Sequence, residues 1–176
     1  MSEAPDIPES SNRTLNRAVA ATVVVLSVSM ALCNIKDGNI VQNMQAAQST
    51  KIDTWNEYQA TRIKLHMEGM AAANGGPAAA RAALEGAKYM RESGDLRKAA
   101  QAAQDDYDHN NYRDDQFDLS DGLASIALAT TAIAALTELW GLLFFAWGAG
   151  GISILFAIAG FAQVPLHPDM VMGWLT

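Results

Sequence analysis

Ala18-Val-Ala-Ala-Thr-Val-Val-Val-Leu-Ser-Val-Ser-Met-Ala-Leu-Cys-Asn-Ile35 decides the fold. The run carries no charge and is bracketed by Arg17 and Lys36. The hydrocarbon core of a bilayer is crossed by about 20 such residues in a helix. The run is long for the apolar core of a signal peptide, and no small-residue cleavage site follows it. It reads as an uncleaved spanning helix over 18–35. Val28-Ser-Met-Ala-Leu-Cys33 has the outline of a lipoprotein cleavage box, but Leu32 stands where a small residue is required. Cys33 therefore reads as a buried thiol, packed like a small hydrophobe. As the single cysteine, it excludes an intramolecular disulfide.

Two more apolar runs lie toward the C-terminus, at 119–137 and 142–161. Only Glu138-Leu-Trp-Gly141 joins them, too short for anything but a tight hairpin, and Glu138 and Trp140 suit the interface between lipid and water. Ala127, Thr131 and Ala135 share one face of the first run; Ala149, Ser153 and Ala157 share one face of the second. Such small-residue faces let membrane helices pack closely. Residues 1–17 are expected to be a disordered acidic tail. Residues 162–176, with Pro165, Pro168 and Trp174, are expected to form an interfacial tail.

Between the apolar runs, 36–118 reads as an extramembrane antiparallel helical hairpin. Lys36–Met70 holds no proline. An apolar stripe runs through Val41, Met44, Ile52, Trp55, Ile63, Met67 and Met70, with Gln48 and Gln59 filling its gaps. Intervals of three and four mark one helix face, and the narrow stripe predicts a coiled-coil-like seam. Asn74-Gly-Gly-Pro77 breaks the chain. Ala-rich helices follow at 78–90 and 96–107, with Ser93-Gly-Asp95 expected between them. Ala80, Leu84, Ala87, Ala99 and Ala103 are the face expected to meet the first helix. The fold class is thus all-α: a membrane protein of three transmembrane helices and a helical hairpin.

Trp55, Tyr58-Gln-Ala60, Ile63-Lys64 and His66 resemble the signature of a family of uncharacterised bacterial membrane proteins, a domain of unknown function. Its pattern is an N-terminal membrane helix, a helix with W-x-x-Y-Q-A-x-x-I-K, and a C-terminal membrane hairpin. Phe117-Asp-Leu-Ser-Asp121 is similar to the family's entry into the second span. The resemblance covers most of the chain after residue 13. It implies the architecture and a multi-pass place in a bacterial inner membrane; it implies no chemistry.

The net charge is −7, and after Arg113 the chain has no Lys or Arg. No basic patch suits nucleic acid. Asp105–Asp118 is rich in oxygen ligands, but laid on a calcium loop it puts Asn111 where glycine makes the turn and Phe117 where the bidentate Glu belongs. It reads as a solvated acidic juncture. His66, His109 and His167 lack ligand spacing, and no serine sits in a nucleophile motif. No catalytic, metal or cofactor site is expected. Trp55, Tyr58, Gln59, Arg62, Lys64 and His66 are the candidate partner contacts, since Trp, Tyr and Arg anchor interfaces; packing of Trp55 inside the hairpin is the competing reading. The expected function is that of a non-enzymatic accessory or scaffold subunit, within a homo-oligomer or a larger membrane complex. A small transport or channel component is the alternative. Arg13 and Arg17 ahead of the first span favour a cytoplasmic N-terminus and a periplasmic hairpin, against the opposing pull of Lys36, Lys51 and Arg113.

Overall fold

The computed structural model describes residues 12–164 and 166. Three helices account for nearly all of them: α1 (Arg13–Ala73), α2 (Ala79–Thr137) and α3 (Trp140–Ala162). Each is long and apolar enough to cross a membrane. The chain falls into two compact units. One combines α1 up to Gly38 with the chain from Arg113 onward; the other is Asn39–Tyr112.

Several helix limits differ from expectation. Residues 13–17 belong to α1, because the Asn12 side chain accepts the Leu15 N–H at 3.1 Å and so caps the helix. The expected interruption at Ser93-Gly-Asp95 is absent, and α2 runs through it. A glycine inside a helix costs about 1 kcal/mol, which the Ala-rich flanks outweigh. The Ser93 hydroxyl donates to the Met90 carbonyl at 2.9 Å rather than ending the helix. Asp105–Asp118 is also helical, with Gln101 and Gln104 amides donating to Asp105 and Asp108 one turn on. Of the expected C-terminal tail, Gln163, Val164 and Leu166 are described; the rest, like the expected tail over 1–11, lies outside the described residues.

In the 39–112 unit, α1 and α2 pair antiparallel. Lys51 donates to Gln104 at 2.9 Å, and its ammonium lies 5.6 Å from the Tyr107 ring. Farther along, Lys64 lies 5.8 Å from the Tyr89 ring, and Gly86 faces Leu65 and Glu68. Partner numbers fall as α1 numbers rise, which fixes the direction. Buried or half-buried positions of α1 run through Ile40, Met44, Ala47, Lys51, Thr54, Tyr58, Thr61, Leu65, Glu68 and Ala72, with half-buried Val41 and Trp55 beside them. Those of α2 include Ala82, Gly86, Tyr89, Ser93, Leu96, Ala100, Ala103 and Tyr107. Both sets advance by alternating threes and fours. Of the expected stripe, Met44 lies in the seam and Val41 and Trp55 are half-buried at its edge, but Ile52, Ile63, Met67 and Met70 are exposed, so the seam is rotated away from most of the stripe. On α2, Ala80, Leu84, Ala87 and Ala99 are likewise exposed, and only Ala103 of the expected face is buried. Past Ile40 the fully buried seam positions are small (Thr61, Ala82, Ser93, Ala100 and Ala103), which allows close approach, while larger Tyr58, Leu65, Tyr89, Leu96 and Tyr107 are half-buried along it.

In the other unit, α1, α2 and α3 meet around small residues. Ala124, Ala127, Ala134, Ala146 and Ala157 are buried, with Leu15, Leu26, Phe117 and Leu143. All three helices converge at Gly150, where an added Cβ would stand 3.0 Å from Leu26 Cδ2 and 3.6 Å from Ala127 Cβ. Glu138, at φ 54°, makes the turn from α2 to α3.

Candidate functional site

The 39–112 unit contains no concentration of reactive groups; what it offers is surface. Trp55 and Tyr58 are half-buried and stack edge to face with centroids 5.2 Å apart. Gln59, Arg62, Lys64 and His66 are exposed. The six expected contact residues are thus divided: two aromatics lean toward the seam and four polar residues face outward. Thr61, not singled out by the sequence, is fully buried between them. The largest exposed apolar side chains here are Ile63 (62%), Met67 (59%), Leu84 (74%) and Met90 (64%).

The other unit holds polar groups among apolar helices. The Ser153 hydroxyl donates to the Ser120 carbonyl at 2.7 Å, and the two hydroxyls lie 3.2 Å apart. Cys33 Sγ is 4.0 Å from Ser120 Oγ, so α1, α2 and α3 share one buried polar contact. The Trp147 indole N–H donates to Thr22 at 2.8 Å. Of the expected packing residues, Ala127, Thr131, Ser153 and Ala157 are buried and Ala135 and Ala149 half-buried. Thr131 turns its hydroxyl onto the Ala127 carbonyl at 2.7 Å, the usual way to satisfy a hydroxyl in an apolar helix.

Beside this contact stand Asp37 on α1 and Asp114, Asp118 and Asp121 on α2. One oxygen each of Asp37, Asp114 and Asp121 is shut off from solvent with no donor in reach. Desolvation, a carboxyl–carboxyl hydrogen bond with Asp37, and the charges of Asp37, Asp118 and Asp115 raise Asp114 to about 7. Asp118 is raised too, by desolvation and then by the charges of Asp37, Asp115 and Asp121. Two carboxyl groups in contact cannot both ionise cheaply, which favours a proton retained on Asp114. Among the described residues, no group of three or more His, Cys, Asp or Glu is arranged to hold a metal ion.

On another face of α2, Arg113 and Gln116 bind the end of α3. The guanidinium donates twice to the Gly160 carbonyl, at 3.3 and 3.4 Å. The Gln116 amide donates to the Val164 and Leu166 carbonyls, both at 2.9 Å. Arg113 thus satisfies a carbonyl in the last turn of α3, one of those a helix end leaves without a partner, and Gln116 holds the chain just beyond it. Sequence reasoning passed over both groups. Asp114, Asp118 and Asp121 do recur at four and three, one helix face, and Asp37 stands two residues past the first apolar run, after Lys36; that spacing was the available signal.

These features define an all-α chain with three candidate membrane spans, a proton-sharing carboxyl pair and an exposed helix pair. The chain belongs to the family DUF4337, a domain of unknown function, whose model matches residues 15–163. No curated protein and no solved structure matches it.

Proposed function

We propose that the protein is a non-enzymatic accessory or scaffold subunit of a bacterial inner membrane, with 36–118 outside the bilayer as its interaction surface. The observation that carries this reading is the cluster of exposed apolar side chains on the face of α1 turned away from α2: Ile63, Met67 and Met70, with Ile52 farther along beyond Asn56 and Gln59, each about half exposed or more. These residues lie well past the apolar run of 18–35, so lipid does not account for them. Contiguous exposed apolar surface outside a membrane marks a site of association. The alternating threes and fours of the inner seam support a coiled-coil pairing of the two long helices. Purification of the full chain in mild detergent, with identification of whatever stays bound, tests the reading. A discrete species larger than one chain is expected; a lone monomer from native membranes would overturn it.

A second reading, a small transport component, rests on the Cys33–Ser120–Ser153 contact and the adjacent carboxyl pair. Polar groups held between membrane helices often mark proton or ion paths. Proton flux in liposomes carrying the purified chain, abolished by Asp114→Asn, is the result that would favour it.

A further inference from the structure

We infer that a second copy of this chain covers the outer stripe of α1, with the two α1 helices side by side and parallel. The inference rests on the accessory-subunit reading above and names its partner and face.

The stripe has its own register. Ile52, Asn56, Gln59, Ile63, His66 and Met70 are all exposed, and they advance by four, three, four, three and four. At 100° per residue they stay within a narrow sector, on the side of α1 opposite the seam that meets α2. This is the spacing of paired helices. The flanks widen the apolar surface: Ala60 and Met67 are exposed on one side, and half-buried Trp55 stands on the other.

Three observations choose a second copy over another occupant. First, α1 is unbroken from the apolar run to the stripe. Two copies crossing one bilayer in the same sense therefore carry the stripe on the same side, at the same number of residues from the apolar run. Second, the polar members are self-complementary. A symmetric pair sets Asn56 against Asn56, Gln59 against Gln59 and His66 against His66; an amide, like a neutral imidazole, is both donor and acceptor, so each has a partner in its twin. An asparagine in such a stripe also fixes register. Against lipid or a purely apolar partner, the same amides would be left unsatisfied. Third, the charges agree. Across a parallel pair the facing flank positions are Gln48 with Asp53, Trp55 with Ala60, and Arg62 with Met67. No like charges meet, and Glu57, Lys64 and Glu68 lie off the stripe.

Size is consistent with this occupant as well. A stable interface between free proteins takes about 20 residues a side, and the stripe with its flanks supplies fewer. Copies held in one membrane in one orientation meet at high effective concentration, which lowers the requirement.

The test is disulfide trapping of the full chain in native membranes. Single cysteines at Ile63 and at Glu57 are placed in a Cys33→Ala background, then oxidised with copper phenanthroline. Ile63→Cys should give a dimer on a non-reducing gel and Glu57→Cys should not. Cross-linking at 57 but not 63, or of position 63 to a different protein, would overturn the inference. Ile63→Glu adds an independent measure. Its site is exposed, so helicity should be unchanged while the mass in mild detergent falls toward one chain. An oligomer that survives Ile63→Glu with no cross-link at 63 refutes this face and leaves the accessory reading standing. A wild-type chain that is monomeric and free of partners refutes both.

Discussion

At the residue scale, Gly160 and Asp114 carry the sharpest consequences. Gly160 lies under the Phe117 ring, where an added Cβ would come within 2.9 Å of Cζ and 3.0 Å of Cε2. The ring is held in turn by edge-to-face contact with Phe161, centroids 5.2 Å apart. It has nowhere to retreat, so Gly160→Ala should cost about 1–3 kcal/mol, the range for overpacking. Thermal melts of the detergent-solubilised chain, with Phe117→Leu as the relieving second change, would measure it. Asp114 sets a pH dependence whose sign is fixed. Its ordinary value is 3.8 and its folded value about 7. Between those values the native chain holds more protons than the unfolded one, so the stabilisation is full below pH 4 and is lost as pH rises through 7. Asp118, raised for the same reasons, acts in the same direction. Asp114→Asn should therefore flatten the dependence of melting temperature on pH between 5 and 8 and melt higher than wild type at pH 8. An unchanged slope would mean that the carboxyl pair is not where the proton resides.

At the element scale, the inner seam decides which small residues matter. Ala100 is fully buried against α1, while Ala99 beside it faces outward. Ala100→Leu should cost about 1–3 kcal/mol by overpacking, and Ala99→Leu should stay within about 0.5 kcal/mol of wild type, as surface changes do. Circular dichroism melts of the two variants separate the cases. Trp55 lies between such extremes: full burial would make its truncation to Ala cost 3–5 kcal/mol, and half burial brings that to about 2. The helices and their antiparallel pairing were legible because length, the Gly75-Gly-Pro77 break and the long apolar runs each permit few structures. The seam was not legible. Apolar periodicity found Met44 and the half-buried Val41 and Trp55 but also selected exposed Ile52, Ile63, Met67 and Met70, whereas the fully buried seam positions past Ile40 are Thr61, Ala82, Ser93, Ala100 and Ala103, small residues that hydropathy hardly registers. The continuity of α2 was missed for a related reason: one glycine between Ala-rich stretches looks like punctuation but costs too little to act as it. The carboxyl pair was hidden because its two halves stand on different helices, 77 positions apart in the sequence.

At the scale of the whole molecule, three candidate spans predict a topology for the proposed extramembrane helix pair. Three spans would place the N-terminus and the Glu138 turn on one side, with residues 39–112 on the other. Lys and Arg are retained on the cytoplasmic side, counted close to the span ends, and the first helix usually dominates. Arg13 and Arg17 lie in the first turns of α1, just ahead of its apolar run, and the turn at Glu138–Leu139 has no basic residue to add. Lys36 and Arg113 pull the other way at the far ends of their spans. The first-helix preference gives a cytoplasmic N-terminus and a periplasmic helix pair. Single cysteines at Ser10 and Ser49 in a Cys33→Ala background, treated in intact cells with a maleimide that cannot cross the inner membrane, read this directly. Ser49 is exposed on α1, so failure to label there is not a matter of burial. Labelling at 49 and not at 10 is the expected result. The reverse pattern would invert the topology and move the Ile52–Met70 stripe into the cytoplasm. Pairing of two copies would survive that inversion, because both α1 helices invert together, so the topology experiment and the cross-linking experiment bear on separate claims.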